Sequence, residues 1–96
     1  MKSKALTKII VKKFIPTRSR SSKKGDNGKA LIVGGSYMYH GAPVLSSLAA
    51  LRTGTDLVYT AVPKNNVQST RSISPDLIVI PLADSKLTRG SVNKLL

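Results

Sequence analysis

The fold is decided by the stretch Ala30-Leu31-Ile32-Val33-Gly34-Gly35-Ser36, in which four apolar residues run into two glycines and a serine. A continuous apolar run of this length is typical of a parallel strand that is buried on both faces. In α/β folds, a glycine-rich turn directly after such a strand leads into a helix. The stretch therefore predicts a strand, a tight turn and a helix in succession.

The predicted helix begins near Gly41 and ends before Gly54. Pro43 suits its first turn, and Arg52 suits its last turn because the helix dipole favours a cation there. We expect the face that packs on the sheet to be an apolar stripe of Val44, Leu45, Leu48, Ala49 and Leu51.

Two further apolar runs predict two further strands. Residues 57–62 form the first and are closed by Pro63, and residues 77–80 form the second and are closed by Pro81. A short helix is expected over residues 65–71, and another begins within residues 87–96. Strands and helices in this order predict an α/β fold with parallel strands, in which one sheet edge and one face stay uncovered. We therefore expect a truncated chain that forms an incomplete part of a larger domain.

The first 28 residues differ from the rest and form a separate segment of the predicted organisation. Residues 5–14 have apolar side chains at three- and four-residue spacing with lysines between them, which predicts a short amphipathic helix that Pro16 ends. Residues 17–28 predict an exposed loop with a turn at Asn27-Gly28. The division is thus 1–28, a basic helix and loop, and 29–96, the α/β part.

The charge pattern raises a second hypothesis. The net charge is +12, and ten of the sixteen Lys and Arg residues lie within the first thirty positions. Such a field attracts nucleic acid and other phosphates, so a small basic nucleic-acid-binding protein is an alternative. Against it, only four aromatic residues occur, and none alternates with basic residues on a strand as a stacking platform would.

The composition excludes several other classes. The sequence has no cysteine and a single histidine, His40, which rules out disulfides, thiolate metal sites and a histidine-only zinc site. It also has no apolar run long enough to span a bilayer. We expect a cytoplasmic protein with no membrane partner.

The candidate site is the junction from Gly34-Gly35-Ser36 to Gly41-Ala42-Pro43, because ligands of open α/β sheets bind at the carboxyl ends of the strands. Glycines there let a ligand approach the backbone, and the amides at a helix start favour an anion. Glycines that serve turn geometry alone explain the pattern equally well. The spacing matches neither a P-loop nor the dinucleotide-binding fingerprint.

Other polar residues give weaker signals. The loop 23–28 could face a phosphate, but we favour a solvated surface turn. His40 has no partner nearby in sequence for a general-base role. Of the four aspartates, Asp84 is the one candidate of interest, because it follows the end of a predicted strand.

Six motifs in register resemble the opening of the NAD(P)H-hydrate dehydratases. They are Lys24-Gly25-Asp26-Asn27-Gly28, Leu31-Ile32-Val33-Gly34-Gly35-Ser36, Gly41-Ala42-Pro43, Ala49-Ala50-Leu51-Arg52-Thr53-Gly54, Asp56-Leu57-Val58 and Ser74-Pro75-Asp76-Leu77-Ile78-Val79. The resemblance covers residues 23–82. The sequence departs from the family at Lys23, where a histidine is usual, and near Thr55, where alanine or glycine is usual.

The resemblance implies a ribokinase-like three-layer α/β/α sandwich with a mostly parallel sheet. It implies an enzyme in which ADP or ATP, with Mg²⁺, phosphorylates the hydroxyl of hydrated NADH or NADPH, after which phosphate leaves and the double bond returns. Ala42 matches the family's substrate-contacting position, with Gly41, Gly35 and Ser36 in the same pocket wall and Tyr37 and Tyr39 supporting it.

The same resemblance places the catalytic machinery elsewhere. The family's nucleotide-binding lysine-glycine segment, its glycine-rich anion hole and its catalytic aspartate lie beyond Leu96, so we expect no catalytic residue, no metal ligand and no turnover in this chain alone. The expected partners are the hydrated substrate, the nucleotide, the remaining part of the catalytic domain and further copies in a homo-oligomer. A small-molecule kinase of the same fold is a third hypothesis.

Overall fold

The computed structural model describes residues 3–15, 17–84 and 86–96. Its sheet has the order β1-β2-β3, with β1 at Lys29–Val33, β2 at Leu57–Pro63 and β3 at Ile78–Leu82, all parallel. Its helices are α1 (Lys8–Phe14), α2 (Gly41–Arg52), α3 (Val67–Arg71) and α4 (Arg89–Leu95), and a 3-10 turn, Lys64–Asn66, precedes α3. The predicted α/β class with parallel strands is confirmed.

The core is centred on β2, because this strand has a neighbour on each side. Val58, Ala61 and Val62 are fully buried, and Leu82 of β3 is almost fully buried beside them. β2 alone carries buried residues on both of its faces, as the apolar run in its sequence predicts.

The prediction that β1 is buried on both faces was wrong. Leu31 and Val33 are 51% and 43% exposed, and the burial alternates along the strand. β1 pairs with β2 on one side and is covered by α2 on one face, so its other face is open. Leu31 is in register with Tyr59, which is in register with Ile78, and Ile78 is also partly exposed. An apolar surface of the sheet opposite α2 is therefore left uncovered by the described residues.

Helix α2 forms at the predicted position, but its buried face differs from the predicted stripe. Leu45 is 71% exposed and Ala49 is exposed, whereas Pro43, Val44 and Ser47 are buried. The cause is a polar contact with the sheet. Ser47 Oγ lies 2.7 Å from Thr60 Oγ1 and donates to the Pro43 carbonyl at 2.7 Å. Both hydroxyls are satisfied, so a serine can occupy the centre of the interface.

Strand β3 continues through Pro81 to Leu82, so the prediction that Pro81 closes it was wrong. Pro81 lacks an N–H group, which an edge strand tolerates, and β3 lies at an edge of the sheet that the described residues form. The short helix within 65–71 and the helix within 87–96 are both confirmed. Helix α4 begins at a capping box in which Thr88 and Ser91 each bind the other's backbone amide.

The N-terminal helix is shorter than predicted and begins at Lys8 because Thr7 caps it, its Oγ1 accepting from Ile10 N at 3.2 Å. Among the described residues of α1, none is buried. Pro16, predicted to end this helix, lies outside the described residues. Across the described ranges, no helix is both long and apolar enough to cross a bilayer.

Candidate functional site at the carboxyl edge of the sheet

The carboxyl ends of the three strands are joined by main-chain hydrogen bonds. Gly34 N, just past β1, donates to Ala61 O of β2 at 3.2 Å. Lys64 N, just past β2, donates to Asp84 O beyond β3 at 3.1 Å. The residues that follow the strands are therefore held in fixed positions along one edge, where ligands of parallel sheets bind.

Gly35 serves the packing of this edge. Its φ of +99° lies in the left-handed region, which favours glycine. A Cβ at Gly35 would lie 2.8 Å from Asn66 Nδ2 and 3.3 Å from Pro63 Cδ. A side chain there would therefore collide with the end of β2 and the turn that follows it. The missing side chain makes room for protein atoms, which supports the geometric explanation of this glycine.

Ser36 is enclosed in the hydrogen bonding of its own loop. Its amide donates to Tyr39 O at 2.9 Å, and its Oγ accepts from Tyr39 N at 3.1 Å. Its carbonyl accepts from Asn66 Nδ2 at 3.1 Å. The tight turn places Tyr37 and Tyr39 outward, at 79% and 74% exposure, so in this chain neither ring packs behind the turn.

Gly41 and Ala42 form the open part of the junction. Both are exposed at the start of α2, and a Cβ at Gly41 would meet no atom of the described residues within 4 Å. His40 holds the N-cap position, and among the described residues its side chain makes no capping hydrogen bond. The first amides of a helix have no partner within the helix, so they present partial positive charge to any ligand that approaches here.

The two parts of the junction are brought together by Pro43. A Cβ at Gly34 or at Gly35 would lie 3.6 Å from the Pro43 ring, which follows Ala42 directly. Gly35 therefore packs against the first turn of α2, in which Gly41 and Ala42 are exposed, whereas Gly35 and Ser36 are partly buried.

A cavity of about 410 Å³ opens beside Gly41. It lies between the start of α2 and the end of α3 and is lined by His40, Gly41, Val44, Leu45, Ser69, Ser72 and Ile73. The exposed Leu45 borders it, so this cavity is a mainly apolar surface next to the open amides.

Asn66 is the residue at this edge that the sequence reasoning missed. It is 4% exposed and lies where β2 gives way to α3. A polar residue shortly after the carboxyl end of a neighbouring strand was the available signal, since the same criterion selected Asp84.

The loop 23–28 lies at the opposite end of the strands and is organised by Asp56. Asp56 Oδ2 accepts from Gly25 N at 3.1 Å, from Asn27 N at 2.9 Å and from Asn27 Nδ2 at 3.1 Å. Arg18 lies 3.3 Å from Asp56 Oδ1, and its other nitrogen donates to Gly54 O at 2.6 Å. The Asn27 amide, chiefly, lowers the pKa of Asp56, with further help from the Arg18 charge and against the effect of burial.

These contacts favour the surface-turn interpretation of 23–28. The lysines at 23 and 24 are exposed, while the turn is fixed from beneath by a carboxylate. A second cavity, of about 640 Å³, lies at this end and is lined mostly by hydroxyl side chains near Arg18. It is separate from the carboxyl edge.

The remaining candidates from the sequence are Asp84 and His40. Among the described residues, no three His, Asp or Glu side chains come together to form a cation site. The Asp84 carboxylate instead accepts from Thr88 Oγ1 at 2.5 Å, ahead of α4. His40 is exposed. The residues of this segment therefore do not fit a magnesium cage.

Fold and edge together define an α/β protein with a parallel sheet and a glycine-rich junction between its first strand and the helix that follows. The family model for NAD(P)H-hydrate dehydratases matches residues 30–95. The chain belongs to the NAD(P)H-hydrate dehydratase family.

Named relatives and a solved structure agree with this. The chain is 72% identical over 96 residues to the ADP-dependent (S)-NAD(P)H-hydrate dehydratase of Nitrosopumilus maritimus, covering all of this chain and 33% of that protein. It is 40% identical over 79 residues to the ATP-dependent (S)-NAD(P)H-hydrate dehydratase of Ixodes scapularis, covering 82% of this chain and 26% of that protein. A hypothetical protein of Streptococcus mutans, solved by crystallography, superposes with a TM-score of 0.70 at 33% identity over 79% of this chain and 28% of that one. The chain thus spans about a quarter to a third of these relatives' length.

Proposed function

We propose that this chain is part of a nucleotide-dependent NAD(P)H-hydrate dehydratase and supplies one wall of its substrate pocket. The observation that carries the proposal is the open junction at Gly41-Ala42, at the carboxyl edge of a parallel sheet in a chain of this family. The substrate class is hydrated NADH or NADPH, after which these relatives are named.

In this proposal the residues of the edge have distinct roles. Gly41 and Ala42 contact the hydrated dinucleotide, because a small side chain and a bare backbone leave space above the first turn of α2. The amides of that turn stabilise a negative or polar oxygen of the substrate. Gly35 and Ser36 form the floor beneath, because protein atoms fill the space next to the Gly35 Cα and the Ser36 carbonyl is held by Asn66 Nδ2.

We propose ADP as the phosphate donor. The relative that matches the whole chain is ADP-dependent, as is the relative from Cenarchaeum symbiosum, 68% identical over 85 residues, whereas the ATP-dependent relative of Ixodes scapularis is more distant. When bound, the nucleotide and Mg²⁺ supply the phosphoryl group and its charge neutralisation, and among the described residues no three His, Asp or Glu side chains come together to hold the metal. In this proposal the nucleotide and the metal bind in the remaining part of the catalytic domain.

That remaining part also explains the uncovered sheet face. Leu31, Val33 and Ile78 expose apolar surface opposite α2, and a three-layer sandwich covers such a face with further helices. The same surface makes self-association possible, and a homo-oligomer stays a prediction.

The experiment is a hybrid protein in which this chain replaces the matching first third of the Nitrosopumilus maritimus relative. We expect the hybrid to restore NADH from hydrated NADH with ADP, followed by absorbance. This chain alone and the remaining two thirds alone serve as controls, and both should be inactive. A hybrid that unfolds cooperatively but shows no turnover contradicts the proposal.

The other two hypotheses have their own signatures in the same hybrid. A small-molecule kinase would transfer phosphate to a stable product rather than release it. A nucleic-acid-binding protein would bind duplex DNA with a steep dependence on salt, through the exposed lysines of α1.

A further inference from the structure

We infer that Asn66 is a positioning residue for the substrate wall: its carboxamide holds the Gly35-Ser36 turn where the hydrated dinucleotide requires it. The inference rests on the proposed function and adds to it a residue outside the glycine-rich junction. Asn66 itself does not reach the open surface, since it is 4% exposed.

The main chain of Asn66 is fixed. Its carbonyl accepts from Ser69 Oγ at 3.0 Å and from Thr70 Oγ1 at 2.7 Å, and Thr70 is buried. Two hydroxyls on the following helix therefore hold this carbonyl, and the side chain projects from an ordered support. A positioning residue needs such support, because a mobile side chain cannot define the place of another group.

The side chain of Asn66 transmits that order to the turn after β1. Nδ2 donates to Ser36 O at 3.1 Å and stands so close to Gly35 that a Cβ there would be 2.8 Å away. Ser36 in turn pairs with Tyr39 through both its amide and its hydroxyl. Asn66, just past β2, therefore fixes by a hydrogen bond the start of the segment that leads from Ser36 to Gly41.

The hydrogen bond from Asn66 to Ser36 differs from ordinary core packing because it orients a part of the candidate pocket. The buried amide bonds a backbone carbonyl of the candidate pocket floor, thirty residues away in sequence. Loss of this bond shifts the floor relative to the first turn of α2, and an error of about 1 Å in a binding wall has large effects on substrate use. A residue with a packing role only would lower stability without distinguishing the hydrated substrate from the nucleotide.

The test is Asn66→Asp in the hybrid, with Asn65→Asp as the matched control. The two variants make the same chemical change at adjacent positions, but Asn65 is exposed. In Asn66→Asp the donor to Ser36 O is replaced by a carboxylate oxygen that repels it. We expect the KM for hydrated NADPH to rise about tenfold, with the KM for ADP within about twofold of the parent. Asn65→Asp should leave both KM values unchanged.

Asn66→Ala is the second variant, because it removes the donor without adding a charge, and it should show the same selective rise. Equal KM values in both Asn66 variants and in the control overturn the inference, and so does a parallel rise in both KM values with a lower Tm. Failure of both variants to fold also overturns it, since Asn66 would then be a core residue. An inactive parent hybrid overturns the proposed function itself, whereas an active parent with unaltered variants overturns this inference alone.

Discussion

Asn27 donates two hydrogen bonds to the carboxylate of Asp56, one from its main-chain amide at 2.9 Å and one from Nδ2 at 3.1 Å. The two residues are 29 positions apart. This pair, with Arg18 on the other oxygen of the carboxylate, attaches the basic N-terminal segment to the loop between α2 and β2.

The pair predicts a specific dependence of stability on pH. The pKa of Asp56 is lowered from its ordinary value of 3.8, chiefly by the Asn27 amide. A carboxylate with a lowered pKa stabilises the folded state above the ordinary value, and this contribution is lost as the pH falls through the folded-state pKa. Asp56→Asn in the hybrid should lower the Tm at neutral pH and flatten its fall in acid. The measurement is thermal unfolding from pH 7 to about pH 3. Asp76→Asn, at an exposed aspartate, is the control, and an identical response of both variants would contradict the role of Asp56.

The buried hydroxyl pair between α2 and β2 gives a double-mutant prediction. Ser47→Ala leaves the buried Thr60 hydroxyl without its partner and should cost about 1–3 kcal/mol. Adding Thr60→Val removes the stranded hydroxyl, so the double variant should lose less than the sum of the singles. Denaturant unfolding measures all three. Ser46→Ala, at the exposed neighbouring serine, should be near neutral, and strict additivity of the Ser47 and Thr60 variants would contradict the direct contact.

Two glycines of the junction should respond oppositely to alanine. At Gly35 an alanine is strained by the φ of +99° and collides with Asn66, so we expect a loss of about 1–3 kcal/mol. At Gly41 the added methyl group meets open space at the start of a helix, so stability should be unchanged or rise by up to about 1 kcal/mol. Thermal unfolding of the two hybrid variants compares them directly. A destabilised Gly41→Ala would mean that this position is covered by protein.

Ala42 tests the pocket wall separately from stability. Ala42→Leu adds bulk at an exposed position of the first turn of α2, so the fold should be unaffected. The KM for hydrated NADPH should rise about tenfold or more because the side chain occupies space that the substrate needs. Leu45→Met, at an exposed position on the same helix, is the control. An unaltered KM in Ala42→Leu would place the substrate elsewhere.

The sequence predicts the elements of this fold well where a pattern is local. The apolar run of β2 and the Gly41 to Gly54 boundaries of α2 depend on residues close in sequence, and both were found. The exposure of Leu31 was not predictable in the same way, because the burial of a strand depends on how many neighbours the sheet provides. The predicted burial of Leu45 was wrong for a related reason, since the Ser47–Thr60 contact sets the rotation of α2 on the sheet.

The candidate site shows the same limit. Gly41 and Ala42 stand out in sequence because they begin a helix after a glycine-rich turn. Asn66 does not, because its importance comes from a hydrogen bond to Ser36 O across the crossover connection from β1 through α2 to β2. Gly35 also stands out in sequence, as part of a glycine pair after a strand, but the close approach of Asn66 and Pro63 to it could be seen only in the structure.

The most direct test of the account is a crystal structure of the hybrid with hydrated NADPH bound. The account predicts substrate atoms within about 4 Å of Ala42 and of the Gly41 backbone, above the first turn of α2. A substrate bound elsewhere, with the Gly41-Ala42 junction buried under the rest of the protein, would contradict it.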